Sequence, residues 1–289
     1  MLNLIEDEVH GNLSVYSFLH LKYDKNANPI GFEPLGKKAA STFFGFCGYH
    51  DSEIFKSIEN NYVDIETDEH CFSLSYRAFA KDYHAKQETL KGFKSNAFYQ
   101  HDLDQNLTGE LVTGSEIGLR DGKFVKDRLN EILKNKKFEE LEILTYTLDY
   151  MVPIALSASF NPEYSYSNLK LNKSGDPNVI YEFVNFVIQP MESGQTLILL
   201  SCLPEHDKSV KFMDQLANLK PLLFERAISS LAIAYIENTF FSPNIWKKLL
   251  RKEQIQLIHE LHLTTPMARN TLNGFFHSKI NLLDRRFKK

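Results

Sequence analysis

The sequence predicts an α+β fold with a central antiparallel sheet flanked by helices, a β-rich segment at the N-terminus and a helical C-terminal third. Strand-like runs are bunched between residues 140 and 203, and apolar residues at helical spacing fill the chain after residue 204. Strands that precede a run of helices, rather than alternating with them, are typical of α+β folds. We therefore expect residues 1–289 to form a single compact unit with four sub-regions, 1–50, 51–139, 140–203 and 204–289.

The first sub-region is predicted to be β-rich, with strands, turns and a knuckle. Residues 13–19 are rich in β-formers, turn residues fill 24–29, and a second extended piece covers 30–32. Residues 42–48 are aromatic and interrupted by glycine, which is typical of a tight backbone approach rather than of a helix interior.

The second sub-region is predicted to be helical. One helix begins at Asp51 or Ser52 and another at Asp68, where apolar residues recur every three or four positions. The glycines of residues 109–122 predict a polar connection, and a charged helix over 123–134 follows it.

The third sub-region is predicted to supply the sheet. Residues 191–195 are typical of a hairpin loop, which makes the strands on either side of it antiparallel. The predicted strands cover residues 143–148, 154–160, 179–189 and 196–203.

The last sub-region is predicted to contain only helices. Ser242-Pro243 and Thr265-Pro266 each join an N-cap residue to a proline at the first helical position, which marks a helix start. The residues expected to face inward after Ser242 are Ile245, Trp246, Leu249 and Leu250.

The composition favours a folded protein of a reducing compartment. The chain is 43% hydrophobic with 22 Phe and 13 Tyr, which excludes intrinsic disorder. Its three cysteines, Cys47, Cys71 and Cys202, are too few for a disulfide framework. No signal peptide is recognisable, and no apolar run approaches the ~20 residues that span a bilayer. We therefore expect a cytoplasmic protein with no membrane partner.

The formal charge of −4 conceals an asymmetry between the C-terminal segment and the rest of the chain. Residues 243–289 carry a net charge of +7, and residues 1–242 carry −11. A basic segment can bind DNA or RNA by neutralising phosphates, or it can be a solvated helical surface that leans on the acidic body. If nucleic acid binds, we expect contacts from Lys247, Lys248, Arg251, Lys252, Arg269, Arg285 and Arg286. We expect the last residues, 285–289, to be frayed, as free termini usually are.

Several common catalytic motifs are absent. The sequence has no G-x-G-x-x-G, no G-x-x-x-x-G-K-[ST] and no G-x-S-x-G, which weighs against the usual nucleotide-binding and hydrolase functions. His259-Glu260-Leu261-His262 is one residue short of the H-E-x-x-H zinc motif. An apolar stripe of Ile255, Ile258 and Leu261 runs through this segment, so we interpret it as structural.

The densest polar chemistry begins at Cys47 and His50. Their spacing after a glycine turn lets a thiolate and an imidazole point at one Zn²⁺. A closed site needs two more ligands. The candidates nearby are Asp68, Glu69, His70 and Cys71, and those farther off are His10 and His20; of these, His70 and His10 are the additional ligands that we expect. The alternative is that Cys47 packs internally and that His50 or Asp51 caps the following helix. Cys71 lies on an apolar stripe and is predicted to be a core residue.

Residues 42–59 (TFFGFCGYHDSEIFKSIE) and 73–78 (SLSYRA) resemble a poorly characterised family of bacterial proteins. Residues 160–164 (FNPEY) and 235–243 (YIENTFFSP) are similar to further pieces of the same family. In that family, a T-F-x-G-F-C-x-x-H-D block follows an N-terminal C-x-x-C pair and a histidine-bearing segment, and the arrangement resembles an HNH-type treble clef. The resemblance implies an origin in nucleic-acid chemistry, with a role in genome defence, and it carries Cys47 and His50 over as zinc ligands.

This chain departs from the family pattern. No cysteine precedes Cys47, and the S-H-x-I-P-type catalytic histidine is missing, so either the chain begins downstream of them or the site has decayed. No catalytic residue is carried over. Because two ligands cannot supply the ~10–16 kcal/mol of a full structural zinc site, we expect zinc to bind weakly or not at all.

Three functional hypotheses remain open. The first is a nucleic-acid-associated bacterial protein descended from an HNH-like nuclease, and the second is a non-catalytic protein-interaction or scaffold protein. The third is an enzyme acting on a small molecule through an acid–base pair such as Glu53 or Asp68 with His70, which no specific motif supports.

Overall fold

The computed structural model of the protein describes residues 2–36, 39–40, 48–59, 63–95, 105–172, 179–264 and 273–289. Its strands are β1 (Asp7–Val9), β2 (Asn12–Ser14), β3 (Tyr16–Ser17), β4 (Leu21–Tyr23), β5 (Pro29–Phe32), β6 (Glu142–Leu148), β7 (Ile154–Phe160), β8 (Val184–Pro190), β9 (Thr196–Cys202) and β10 (Phe240–Phe241). Six of them form one antiparallel sheet in the order β3-β10-β7-β8-β9-β6, while β1 pairs with β2 and β4 with β5. The predicted central antiparallel sheet is thus confirmed.

Helices cover both faces of this sheet. They are α1 (Gly48–Glu59), α2 (Asp68–Lys94), α3 (Gln105–Asn135), α4 (Asp207–Ala217), α5 (Pro221–Tyr235), α6 (Pro243–Lys248) and α7 (Arg251–Leu263). Helices α1–α3 pack on one face and α4–α7 on the other. The predicted α+β class, with an N-terminal β-rich segment and a helical C-terminal part, is confirmed.

The residues of β9 show why helices can cover both faces of the sheet. Successive side chains of a strand point to opposite faces. Ile198 and Leu200 pack toward α4–α7. Leu197 and Leu199 pack toward α1–α3. An uninterrupted apolar run is therefore what a strand buried on both sides requires.

Strand β8 begins at Val184, five residues later than residue 179, where the sequence predicts its start. The backbone N–H of Tyr181 donates to the Asp121 carboxylate at 3.1 Å. The N–H of Phe183 donates to Nδ1 of His206 at 3.2 Å. Side chains of the helical layers, rather than a neighbouring strand, therefore satisfy the backbone here.

The predicted polar connection over residues 109–122 is wrong, because this segment lies inside the 31-residue helix α3. A Cβ added to Gly122 would lie 2.8 Å from Cδ2 of Tyr83 on α2. Gly118 faces Lys86, whose Nζ would lie 3.6 Å from an added Cβ. Glycine costs a helix about 1 kcal/mol, and here it permits two helices to approach closely.

The predicted fraying of residues 285–289 is also wrong. Phe287 is only 1% exposed and belongs to the core beneath α4–α7. The backbone N–H of Lys289 donates to the carbonyl of Met151 at 3.0 Å. The hydroxyl of Tyr150 donates to the carbonyl of Leu283 at 2.8 Å. The charged residues of this segment therefore flank Phe287, whose burial anchors the segment to the core.

The helix start at Ser242 is confirmed, because its hydroxyl accepts a hydrogen bond from the N–H of Asn244 at 3.1 Å. Leu250 is 56% exposed, so its predicted inward position is wrong. Helix α6 ends at Lys248, and Leu250 is instead the residue that precedes α7. The predicted start at Thr265 lies outside the described residues.

Helix α1 begins at Gly48, before the predicted Asp51 or Ser52, and α2 begins at Asp68 as predicted. Ile255, predicted to lie on the apolar stripe of α7, is exposed, whereas Ile258 is buried. Across the described ranges, each helix falls short of the length and apolarity that crossing a membrane requires.

Candidate functional site

The predicted zinc half-site lies at the edge of what the structure describes. Cys47 is outside the described residues, and the structure describes the backbone of His50 in α1 but not its side chain. His10 has a φ of 51° and is exposed at the tip of the β1–β2 hairpin. Nδ1 of His70 accepts a hydrogen bond from the N–H of Asp64 at 2.9 Å, which holds the start of α2. The zinc assignment therefore stays a prediction.

Cys71 is buried, as its predicted place in the core requires. Burial, together with the nearby carboxylates of Asp68 and Asp64, raises the pKa of its thiol to about 11. Its Sγ lies 3.4 Å from the carbonyl oxygen of Ile65. A thiol in this state is a poor nucleophile and a poor metal ligand. In the described part of the chain, no three His, Cys, Asp or Glu side chains are grouped so that they could hold a metal.

The predicted nucleic-acid-binding cations meet at one corner of the molecule, formed by residues 247–252 and 285–289, which we call the basic corner. Helix α6 contacts the C-terminal turn of residues 285–287. Nζ of Lys248 donates to the carbonyl of Lys288 at 3.2 Å. Two segments that are distant in sequence thus place their cations side by side, while Arg269 lies outside the described residues.

Some of these cations are already paired within the protein. Arg286 donates two hydrogen bonds to the Glu253 carboxylate, at 2.8 and 3.2 Å, and these lower the pKa of Glu253. Arg285 lies 3.2 Å from the Asp149 carboxylate and covers the ring of Tyr150. All the cations of the basic corner are nevertheless exposed: Lys247, Lys248, Arg251, Lys252, Arg285, Arg286, Lys288 and Lys289.

A second polar site, not predicted from the sequence, surrounds the end of β7. We call it the β7 pocket; it has a volume of about 280 Å³. Its lining residues are Lys86, Ser159, Phe160, Asn161, Glu163, Asn172, Tyr181 and Tyr235. The pocket therefore combines aromatic rings, two amides and opposite charges.

Asp82 lies beside this pocket and completes the edge of β7. Strand β10 pairs with Ile154 and Ala155, at the start of β7, so other groups must satisfy the remainder of that edge. The carboxylate of Asp82 accepts a hydrogen bond from the N–H of Ser159. Burial raises the pKa of Asp82 to about 6, although the bond from Ser159 and the neighbouring lysines oppose the shift. Carboxyl groups perturbed in this way are concentrated at functional sites.

The sequence does contain a signal for Asp82. On α2, the residues that continue from Cys71 toward the sheet are Ser75, Ala78 and Asp82, at spacings of four, three and four. Ser75 contacts the sheet through the Oγ of Ser201 at 2.7 Å. A carboxylate that continues an inward-facing stripe is the unusual feature, because such residues are rarely buried without a partner.

Comparison with protein-family models, with curated proteins and with solved structures found no match. The fold is α+β, a sheet with helices on both faces, and the polar regions of its described residues include the basic corner and the β7 pocket. We infer the function from these features.

Proposed function

We propose that the protein associates with nucleic acid and contacts phosphate groups through the basic corner. The observation that supports this is the meeting of residues 247–252 with residues 285–289 at one surface. Cations gathered on one face give the electrostatic footprint of a phosphate-binding surface. The acidic remainder of the chain would repel a polyanion, so binding is confined to this corner.

The contact is expected to be independent of sequence. Lys and Arg side chains that reach phosphates fix position, whereas base edges must be read by a helix or strand in a groove. At the basic corner, α6 has only six residues and lies against the C-terminal turn. We therefore propose binding that depends strongly on salt and does not distinguish DNA from RNA.

The ancestry that we propose is an HNH-like treble clef without an intact catalytic site, in a bacterial protein of genome defence. Its support is the resemblance of residues 42–59 and 73–78 to that family. Zinc at Cys47 and His50 belongs to the same proposal. Weak zinc binding would be consistent with a decayed site.

A second candidate function is protein–protein interaction without catalysis. The β4–β5 hairpin exposes Tyr23 and Ile30, and Leu19 just before it is also exposed. A cluster of exposed apolar side chains is typical of a surface that binds another protein. This candidate becomes the leading one if nucleic-acid binding fails.

The test compares two quadruple variants that remove the same charge. The first changes Lys247, Lys248, Arg251 and Lys252 to Ala. The control changes four exposed lysines elsewhere, Lys25, Lys170, Lys211 and Lys220, to Ala. Fluorescence anisotropy with a labelled DNA duplex and a labelled RNA, at about 50 and 200 mM salt, measures binding to each protein.

The first variant is expected to bind at least about tenfold more weakly at low salt. Its salt dependence should be shallower by about 0.9 for each phosphate that the four side chains no longer neutralise. The control is expected to bind like the unaltered protein. Equal weakening in both variants would show that only total charge matters and would contradict a basic-corner site. Absence of binding by the unaltered protein at low salt would remove nucleic acid from the function.

Truncation is a poor alternative to these substitutions. A chain that ends at Leu283 lacks Phe287, which is buried in the core. Loss of Phe287 would destabilise the fold by about 3–5 kcal/mol. A decrease in binding by the truncated chain would then not be distinguishable from the effect of unfolding.

A further inference from the structure

The two edges of the central sheet differ in how well they are protected against pairing with another strand. At one edge lies β3, which has only two residues, and short edge strands are one of the features that prevent such pairing. At the other edge lies β6, whose seven residues pair with β9 in one continuous register. Residues 143–148 contain no charged residue and no proline, so they lack the features that usually protect a long edge strand.

The outer edge of β6 is open within the described part of the chain. Residues 143–147 are only half-buried although helices cover both faces of the sheet, whereas every residue of β9 is buried. Among the described residues, none outside β9 forms a backbone–backbone hydrogen bond with residues 142–148. Because an edge strand directs about half of its N–H and C=O groups away from its neighbour, β6 offers an extended segment a row of groups to pair with.

Two grooves adjoin β6, one on each face of the sheet. The α1 groove, which includes Ile58 of α1, has a volume of about 810 Å³, and the α5 groove, which includes Leu222 of α5, has a volume of about 530 Å³. Thr147 lines both grooves, so they flank the same part of the strand. Acidic residues that line the grooves are Glu59, Asp64 and Glu192 in the first and Asp149, Glu225 and Asp284 in the second.

The charges of the grooves favour a cationic partner. The described residues that line the α1 groove include no Lys or Arg, and Arg77 pairs with one of its carboxylates, that of Glu59. In the α5 groove, Arg285 lies 3.2 Å from Asp149, and Arg286 lies 3.7 Å from a second carboxylate. Even with these pairs counted, each groove has more carboxylates than cations and therefore attracts Lys and Arg side chains.

We propose that β6 binds an extended, basic segment of a partner protein, which adds a strand to the sheet and places Lys or Arg side chains in both grooves. Successive side chains of a strand point to opposite faces, so two consecutive cations reach the α1 groove and the α5 groove. Backbone hydrogen bonds supply the affinity, and the grooves supply the preference for cations. The β4–β5 hairpin and the lysines of the basic corner take no part, so the proposal does not depend on the proposed function.

A second copy of the chain is the alternative occupant of an open edge, and the charges disfavour it. Antiparallel pairing of two β6 strands places the start of each beside the end of the other. Glu142, which is exposed at the start of β6, then approaches Asp149 and the other carboxylates of the α5 groove. Like charges opposed across paired strands are destabilising.

The probe is a capped peptide, VTVKKVTV, whose β-branched residues favour an extended chain and whose two lysines point to opposite faces. Its charge control is VTVEEVTV, and a third peptide retains the lysines but is N-methylated on its valines and threonines, so neither edge can pair. Fluorescence anisotropy of the labelled peptides with the full chain, at about 50 mM salt, measures binding. We expect the probe to bind at least about tenfold more tightly than either control. Equal binding of the methylated peptide would overturn strand addition, and equal binding of VTVEEVTV would overturn the role of the grooves.

Two double variants test the grooves with the same change of charge. Asp149→Asn with Glu192→Gln removes one exposed carboxylate from each groove, and Glu8→Gln with Glu33→Gln removes two exposed carboxylates elsewhere. We expect the first variant to bind VTVKKVTV about five- to tenfold more weakly and the second to bind it like the unaltered protein. Equal weakening in both would show that only total charge matters and would contradict binding in the grooves.

Hydrogen exchange locates the added strand. We expect saturating VTVKKVTV to slow the exchange of backbone amides in residues 142–148 and to leave the β4–β5 hairpin unchanged. Slowed exchange only outside residues 142–148, or at none of them, would overturn the proposal. Sedimentation of the protein alone tests the other occupant: a dimer in which residues 142–148 are already protected would show that a second copy covers β6 and would also overturn it.

Discussion

The face of the central sheet that contacts α4–α7 is apolar across the middle of its four long strands, whereas the face that contacts α1–α3 carries polar side chains on each of them. Strand by strand, these polar residues are Thr145 and Thr147 on β6, Ser157 and Ser159 on β7, Asn185 and Gln189 on β8, and Ser201 on β9. The two faces come from the same strands, so their difference lies in alternate residues only.

The contact of the sheet with α4–α7 and its contact with α1–α3 are stabilised by different means. Burial of apolar area suffices between the sheet and α4–α7. Under α2, the Oγ atoms of Ser201 and Ser75 are 2.7 Å apart, and Nδ2 of Asn185 donates to Ser201 at 3.2 Å. A hydrogen bond contributes less to stability than the burial of a large apolar side chain, and it requires a partner in the right position. Proteins retain such buried polar residues where a functional site needs them.

The largest expected effect tests this contrast on adjacent residues of β9. Leu200→Ala, on the apolar face, should lower the free energy of unfolding by about 2–5 kcal/mol. Ser201→Ala, on the polar face, should lower it by less, about 1–3 kcal/mol: the buried Nδ2 of Asn185 loses its acceptor, whereas Ser75 keeps its bond to the carbonyl of Cys71. Urea unfolding measures both. A larger decrease for Ser201→Ala would reverse the assignment of the two faces.

The next effect concerns the packing of α2 against α3. Gly122→Ala should destabilise the protein by about 1–3 kcal/mol, because its Cβ would meet the ring of Tyr83 at 2.8 Å. Gly114→Ala, in the same helix with open space around it, should stabilise the protein by up to about 1 kcal/mol. Thermal unfolding should show a lower melting temperature for Gly122→Ala and a higher one for Gly114→Ala. Shifts of the same sign would contradict the close approach of α2 and α3.

A third prediction uses the pH dependence of the polar face. Burial raises the pKa of Asp82 to about 6, above its usual 3.8, so folding favours the protonated carboxyl. This stabilisation is complete below about pH 4 and is lost as the pH rises through about 6. Asp82→Asn keeps an acceptor for the N–H of Ser159 without a charge.

The Asn variant should therefore match the unaltered protein at pH 4 and be more stable by about 1–3 kcal/mol at pH 7. Chemical unfolding at both pH values measures the difference. An Asn variant that is less stable at pH 7 would show that the carboxylate is held by stronger partners than Ser159 alone.

The smallest effect belongs to Glu253, a surface carboxylate on α7, in the layer that covers the apolar face. The hydrogen bond from Arg286 lowers the pKa of Glu253, so its contribution to stability is present above its usual pKa and is lost as the pH falls through the lowered value. Glu253→Gln should cost up to about 1 kcal/mol at pH 7, and the difference should vanish in acid. A destabilisation that persists in acid would assign the effect to the hydrogen bond between Glu253 and the Leu250 N–H at the start of α7 instead.

Much of the fold can be predicted because its patterns are local. The strand over Ile154–Phe160 and the helix start at Ser242 follow from alternation and from a capping residue with proline, which depend on a few neighbouring residues. The candidate sites are less accessible to such reasoning. The sequence predicts the cations of the basic corner, but the β7 pocket joins residues from Lys86 to Tyr235 that only the fold brings together.

The α+β class, the position of the sheet and the charge asymmetry of the chain follow from composition and periodicity, which can be read along the backbone. The packing of Gly118 and Gly122 of α3 against α2, and the anchoring of the C-terminal segment by Phe287, are known only from the folded chain. The same holds for the hydrogen bond between Asp82 and Ser159, which are 77 residues apart. Each of these depends on which surfaces are packed together, and a partner distant in sequence leaves no periodic trace in the segment that it contacts.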